Sequence, residues 1–181
     1  MPYGIEWVKN DGGTGPCIRE YPEGTSETFK KGAIVIFDRS EDGVVEVGLA
    51  AGVPSDQNFL GIALKDATGT AGKVIPVLIP RSGDVFKASV ASAAATAVAP
   101  VADDRGQLYG IVKRSTGTPA GQYVVYTGDT LWIKVIDINP EDILKRGGDL
   151  VAAAIPTMTS DEDGLIFRFQ EAVIDNAGSQ A

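Results

Sequence analysis

The sequence predicts an all-β fold, arranged as a compact β-barrel or β-sandwich with an extended N-terminal arm and one short helix. Short apolar runs rich in β-branched residues recur along the chain, which is typical of strands. The 22 Gly and 10 Pro among 181 residues supply many turns and leave little room for long helices. A hydrophobic fraction of 44% is sufficient for a core in a single domain of this length.

The first 29 residues are rich in Gly and Pro and contain one strand signal, at residues 5–8. We therefore expect an extended N-terminal arm over residues 1–20, followed by a β-rich domain over residues 21–175. Residues 176–181 are small or polar and predict a C-terminal tail.

A β-hairpin is predicted at Asp42-Gly43, because apolar runs at residues 33–37 and 44–47 flank this turn signal. The following apolar run contains Gly61, which indicates a bulge or a close approach of another backbone. In the next run, Pro76 cannot donate a hydrogen bond to a ladder and therefore predicts an edge strand or a bulge.

The second half of the chain continues the strand pattern and adds one short helix. Residues 88–102 are small, and we interpret them as strand and loop because their β-branched residues and Pro100 disfavour a helix. The run at 131–138 is apolar on both faces, which predicts a central strand or one covered by a partner. Asn139 and Gly147 delimit a predicted helix over residues 140–146. Further strands are expected at residues 84–87, 108–112, 122–126 and 165–170.

The chain contains no histidine and a single cysteine, Cys17. Nucleophile systems that depend on histidine and zinc sites built from Cys and His are therefore excluded. We expect no catalytic residue, no cofactor and no metal, and so no enzyme. The net charge of −8 disfavours nucleic acid and anionic membranes as partners. The sequence shows neither a secretory signal nor an apolar run of membrane-spanning length, and we expect synthesis in a reducing cytoplasm.

Three local motifs partly match the patterns of ligand sites. Gly72-Lys73 lacks the other residues of a phosphate-binding loop, so a turn is the better interpretation. Residues 38–43 begin like a calcium loop, but Leu49 stands where the twelfth-position Glu is needed, and a solvated hairpin turn is expected. The acidic stretch Asp161-Glu162-Asp163-Gly164 is likewise expected to form a solvated turn.

The sequence Pro80-Arg81-Ser82-Gly83 resembles the arginine-serine-glycine motif of trimeric dUTPases, in which the Arg and Ser contact nucleotide phosphates. The companion tyrosine-aspartate motif and the Gly-rich C-terminal arm are absent, and Asp84 stands where that family has an apolar residue. The resemblance implies, as an alternative function, a trimeric β-enzyme that hydrolyses a nucleoside triphosphate. A turn between two strands explains the same residues.

A second resemblance covers more of the chain. Residues 29–38 (Phe-Lys-Lys-Gly-Ala-Ile-Val-Ile-Phe-Asp), 59–67 (Phe-Leu-Gly-Ile-Ala-Leu-Lys-Asp-Ala), 74–77 and 83–86 resemble, in this order, the phage capsid cement or head-decoration proteins. Residues 105–170 fit more loosely. The resemblance implies a structural virion protein, made in the host cytoplasm, that binds the major capsid protein on the outer capsid surface and stabilises the shell non-covalently. It further implies a homotrimer without catalytic residues.

Contacts with the capsid or between subunits are expected to use large apolar residues. Aromatic side chains anchor interfaces well, because they bury a large area at a small entropic cost. The alternative for Trp7 is that it packs in an edge strand on the chain's own core. The candidate contact residues are Tyr3, Ile5, Trp7, Val8 and Trp132.

Overall fold

The computed structural model describes residues 4–46, 49–50, 53–54, 59–93, 96–98, 104–113, 123–128, 132–138, 164–170 and 173–174. Within these ranges the chain forms fourteen strands, and helical geometry is confined to Val173 and Ile174 and to a single 3-10 position at Asp104. The all-β prediction is therefore confirmed. The predicted helix at 140–146, the predicted tail at 176–181 and Tyr3 lie outside the described residues.

Most of the strands follow the apolar runs of the sequence, but the second strand, with the sequence Ile-Arg-Glu-Tyr-Pro, was not expected. The strands are β1 (Glu6–Asn10), β2 (Ile18–Pro22), β3 (Ile34–Asp38), β4 (Gly43–Glu46), β5 (Leu49–Ala50), β6 (Val53–Pro54), β7 (Gly61–Ala63), β8 (Val74–Leu78), β9 (Asp84–Ala93), β10 (Thr96–Val98), β11 (Leu108–Lys113), β12 (Tyr123–Tyr126), β13 (Ile133–Ile138) and β14 (Gly164–Phe169). The small-residue segment that begins at residue 88 is thus strand where it is described.

Five strands close into a barrel in the order β9-β12-β11-β13-β14, and β14 pairs back with β9. The ten-residue strand β9 makes this closure possible because its two halves have different partners. Phe86 in the first half lies opposite Phe167 of β14, and Val90 in the second half lies opposite Val125 of the parallel strand β12. Strands β1 and β10 add to β9 outside the ring. The run that was expected to be central is β13, which lies between β11 and β14.

A second sheet has the order β2-β8-β7-β3-β4, and the predicted hairpin is its β3–β4 pair, with Asp38 opposite Gly43. Pro76 lies in β8, which is an interior strand, so the edge-strand expectation is wrong. The Pro76 carbonyl accepts a hydrogen bond from Leu64 N (2.9 Å), just after β7 ends. The nitrogen of Pro76 faces the same side as its carbonyl. Strand β7 has already ended there, so its ladder does not need the N–H that proline lacks.

Both sheets share one hydrophobic core. Phe59, which precedes β7 of the second sheet, packs against Trp132 and Phe169 of the barrel with ring centroids 5.4 and 5.1 Å away. Phe86 completes this cluster at 5.0 Å from Phe169. Close packing of aromatic rings at these distances joins the second sheet to the barrel.

Candidate functional site

The N-terminal residues belong to the body of the protein. Strand β1 pairs with β9, β2 pairs with β8, and the Ile5 side chain is 4% exposed within the shared core. The expectation of an extended arm over residues 1–20 is corrected for the described residues, because apolar side chains in this segment find partners on both sheets. Deleting residues 1–20 would remove part of the core along with any contact surface.

The predicted contact residues fall into different environments. Trp132 is 0% exposed and, like Ile5, it supports the core instead of forming a surface. Trp7 is half-buried against the core, as its alternative interpretation proposed. Val8 is 39% exposed and lies at the irregularity between Trp7 and Lys9 in the β1–β9 pairing. Of the described candidates, Val8 and part of Trp7 remain available for contact.

Asp84 fixes β1 on the barrel. Asp84 is 1% exposed, and its carboxylate accepts hydrogen bonds from Trp7 Nε1 (3.1 Å), Asn10 Nδ2 (2.9 Å) and Arg81 N (2.8 Å). A buried carboxylate requires such donors, because burial without them is costly. The aspartate that departs from the dUTPase motif therefore has a structural function here.

The Arg81-Ser82-Gly83 motif forms the turn that leads into β9. Gly83 has φ +86°, a conformation that suits glycine. The Arg81 guanidinium donates hydrogen bonds from Nη2 to Gly15 O and to Thr14 Oγ1 (3.3 Å for the latter). These contacts hold the β1–β2 loop and favour the interpretation of the motif as a turn.

The glycine-rich loop at residues 68–72 donates hydrogen bonds to the carboxylate of Glu23. Glu23 is buried and accepts hydrogen bonds from Thr68 N (2.9 Å), Thr68 Oγ1 (2.7 Å) and Gly69 N (2.6 Å). Burial alone would raise the pKa of this carboxyl group, but the hydrogen bonds from Thr68 and Gly69 outweigh it and lower the pKa. The loop before Lys73 thus resembles a phosphate-binding loop whose donors are already occupied.

The predicted turn at residues 38–43 also uses its carboxylates internally. Asp38 accepts hydrogen bonds from Ser40 Oγ (2.6 Å) and Ser40 N (2.7 Å), which lower its pKa, and Glu41 accepts one from Thr25 N (2.7 Å). Among the described residues, no group of three or more potential metal ligands is found. The acidic residues 161–163 lie outside these ranges.

A polar cluster that sequence reasoning missed connects the second sheet to the barrel. Lys113 Nζ lies 2.6 Å from both carboxylate oxygens of Glu46, and the Tyr123 hydroxyl donates to Glu46 Oε1 at 3.1 Å. Burial, together with the negative charge of Glu46, raises the pKa of Tyr123. No local sequence pattern predicts this cluster, because its members are distant in the chain.

Exposed apolar residues flank the N-terminal strands. Val74 is 56% exposed and Ile18 is 50% exposed. Val74 lies opposite Pro22 in the β2–β8 pair, so these two side chains are on the same face of the sheet. Side chains alternate between the two faces along a strand, and Ile18 is four residues from Pro22, so Ile18 shares this face. Ile18 also borders a groove of about 340 Å³ between β1 and the second sheet, which we call the β1–β2 groove. Its lining includes Ile5, Trp7, Pro16, Ile18, Leu64 and Leu78.

A second apolar surface lies on the outside of the barrel. Leu108 on β11 and Ile136 on β13 are large, exposed side chains, and they border a groove of about 620 Å³. Lys134 and Arg168 lie at the same groove. Asp84 also lines this groove, and Arg168 pairs with Asp11.

Comparisons with protein-family models, with curated proteins and with solved structures found no match. The interpretation of the exposed surfaces therefore depends on their chemistry and on the resemblance noted in the sequence. Within the part of the chain that the structure describes, no helix has the length and hydrophobicity that crossing a bilayer requires.

Proposed function

We propose that the chain is a capsid decoration protein that binds the major capsid protein on the outer surface of a phage head and stabilises the shell non-covalently. One observation carries the proposal: the two sequence stretches with the strongest resemblance, residues 29–38 and 59–67, form one hydrogen-bonded unit. The two stretches that carry the resemblance thus lie together as one structural unit, which supports the proposal.

The contacts within this unit involve the characteristic residues of each stretch. Gly32 N donates to Ala63 O (2.8 Å), and Ala67 N donates to Phe29 O (2.9 Å). Asp66 accepts a hydrogen bond from Lys31 N at 2.8 Å. Gly32 has φ +86°, where a side chain would be strained. The lysine-glycine turn and the Asp-Ala ending are thus parts of one corner of the second sheet.

The mechanism we propose is mass action. A protein that binds assembled capsid subunits, and does not bind dissociated ones, lowers the free energy of the assembled shell. The exposed residues Val8, Ile18 and Val74 supply apolar surface near the N-terminus for such binding. A homotrimer of the chain would present this surface three times, so that several capsid subunits are held together by one oligomer.

Capsids stripped of this protein and then decorated again test the proposal. We expect decorated capsids to disassemble at a higher temperature than stripped capsids, as followed by light scattering and DNA release. Ile18→Asp is expected to weaken decoration, since it places a charge beside the exposed apolar residues of this face. Ile136→Asp, at an exposed apolar position on β13, is the matched control. Equal melting temperatures for stripped and decorated capsids would refute the proposal.

The enzyme alternative makes the opposite prediction. A dUTPase-like protein would release pyrophosphate from dUTP, and Arg81→Ala would abolish the release. The hydrogen bonds of Arg81 to the β1–β2 loop support a structural role instead. We expect no dUTP hydrolysis above the uncatalysed background, measured by phosphate release with added pyrophosphatase.

A further inference from the structure

A short segment covers the outer edge of the second sheet. Strand β4 ends the order β2-β8-β7-β3-β4, so the side of β4 that faces away from β3 lies at the edge of the sheet. Residues 24–27, which we call the edge latch, lie along this side. Gly24 N donates a hydrogen bond to Val44 O (2.9 Å), and Glu23, just before the latch, forms a parallel bridge with Val44. The chain that continues from β2 is therefore joined to β4 at this point.

Carboxylates take the place of backbone carbonyls in the rest of the latch. Glu46 N of β4 donates a hydrogen bond to Glu27 Oε2 (2.9 Å). Thr25 N of the latch donates one to Glu41 Oε2 (2.7 Å). Between these two contacts, Ser26 has φ +60°, a conformation that residues with a side chain rarely adopt. The closed latch is therefore strained at one residue and depends on two carboxylates.

Both ends of the latch are anchored. On its N-terminal side, the buried Glu23 is held by the glycine-rich loop. On its C-terminal side, Phe29 is buried, and its carbonyl accepts a hydrogen bond from Ala67 N (2.9 Å). The latch can therefore open while its neighbours stay in place. Opening would uncover Glu46 N and the outer edge of β4, and an uncovered strand edge is a template for pairing with another chain.

Glu27 lies among other carboxylates. The charged and titratable groups on the elements around it are Glu23, Lys30, Asp38, Arg39, Glu41, Asp42, Glu46, Lys73, Lys113 and Tyr123. Of these, Glu23, Glu41 and Glu46 are near enough to repel a charge on Glu27. Lys113 offsets part of this repulsion, since it lies 2.6 Å from the Glu46 carboxylate. In the part of the chain that the structure describes, Glu23, Glu27 and Glu41 have no ion pair.

The protonation of Glu27 follows from these surroundings. Burial raises the pKa of Glu27 above its usual value of 4.5, and the charges of Glu41 and Glu46 raise it further. The hydrogen bond from Glu46 N acts in the opposite direction and is outweighed. Because the pKa is raised in the folded protein, the stability that protonation of Glu27 contributes is fully present below pH 4.5. It is lost as the pH rises through the raised folded-state pKa.

We infer that residues 24–27 form a pH-sensitive latch, which covers the outer edge of β4 most firmly when Glu27 is protonated and opens more readily when Glu27 is charged. A protonated carboxyl group keeps a carbonyl oxygen that can accept the hydrogen bond from Glu46 N. Protonation therefore removes the repulsion and the cost of burying a charge without breaking this bond. The inference does not depend on the proposed function.

Glu27→Gln imitates the protonated state at every pH, and hydrogen exchange followed by mass spectrometry reports the opening of the latch. Wild type and variant are compared at the same pH, so that the intrinsic exchange rates match. Near neutral pH, peptides that cover residues 24–29 and 43–46 are expected to exchange at least about twofold more slowly in the variant. Well below pH 4.5 the two proteins should exchange alike. Peptides from β14 serve as an internal reference and should not differ.

Thermal unfolding gives a second measurement. Near neutral pH, Glu27→Gln is expected to raise Tm by about 1–3 °C, and this difference should vanish in acid. Glu20→Gln, which removes an exposed carboxylate of β2 outside the latch, is the matched control and should behave as wild type. Latch peptides that exchange as fast in Glu27→Gln as in wild type near neutral pH overturn the inference. A difference that stays the same in acid also overturns it, because such a difference would not come from the charge of Glu27.

Discussion

Replacing Glu23 should reveal how strongly the glycine-rich loop depends on its internal anion. The carboxylate receives three hydrogen bonds, two from Thr68 and one from Gly69, with donor–acceptor distances of 2.6–2.9 Å. At about 1 kcal/mol net for each bond, Glu23→Ala is expected to lower the free energy of unfolding by about 3 kcal/mol. For a chain of this size, this corresponds to a Tm decrease of roughly 6–12 °C. Glu23→Gln keeps one acceptor oxygen and should lose about half as much.

The pH dependence gives the sign of the charge effect. The pKa of Glu23 in the folded protein is below its ordinary value of 4.5, so ionisation of this group stabilises the fold. This contribution is fully present well above pH 4.5 and is lost as the pH falls through the lower folded-state pKa. The stability difference between wild type and Glu23→Gln should therefore be constant near neutral pH and shrink in acid.

Urea unfolding followed by circular dichroism, at several pH values, measures both quantities. Glu20→Gln, at an exposed position of β2, is the control and should change the free energy of unfolding by less than about 0.5 kcal/mol. A Glu23→Gln variant as stable as wild type near neutral pH would refute the reasoning. So would a difference that persists unchanged in acid, because it could not arise from the ionised carboxylate.

Three further substitutions test the packing. Gly61→Ala would place a Cβ 2.3 Å from a backbone oxygen and should cost about 1–3 kcal/mol in urea unfolding, whereas Gly15→Ala, with nothing within 4 Å, should not be destabilising through contact. Trp132→Ala should cost about 3–5 kcal/mol, and a variant with wild-type Tm would contradict the aromatic core. Asp84→Ala removes the acceptor for three donors and should cost about 2–4 kcal/mol. It should also speed proteolysis in the β1–β2 loop, and an unchanged cleavage rate would show that this loop is held by other contacts.

Local patterns were sufficient for most of the described strands. The hairpin at Asp42-Gly43 is confirmed because its turn and both strands are adjacent in the chain, so short-range signals decide it. Gly61 was recognised as a site of close approach, and its Cβ position indeed lies against the backbone of Leu78. The expectation of an edge strand at Pro76 was wrong, because the sequence does not show that β7 ends before it reaches the Pro76 nitrogen.

The candidate site was less accessible to sequence reasoning. Ile5 and Trp132 are apolar and were predicted as contacts, yet both are buried in the core. Apolar character alone does not distinguish a core residue from an interface residue, since both lose water contact. Ile18 was overlooked because it stands alone among charged neighbours. The polar cluster of Glu46, Lys113 and Tyr123 joins residues from both sheets, and no local spacing relates Glu46 to Lys113, which lies 67 residues away.

The sequence by itself determined the fold class, the turns and the absence of histidine chemistry, because these depend on composition and on neighbours within a few residues. Only the tertiary structure decided that β9 closes a barrel through β14 and β12, and which carboxylates became structural. Glu23 meets Thr68 across 45 residues, and Trp7 meets Asp84 across 77. Such contacts form only when the whole core brings distant strands together, and a turn that resembles a phosphate site can then be occupied by the protein's own carboxylate.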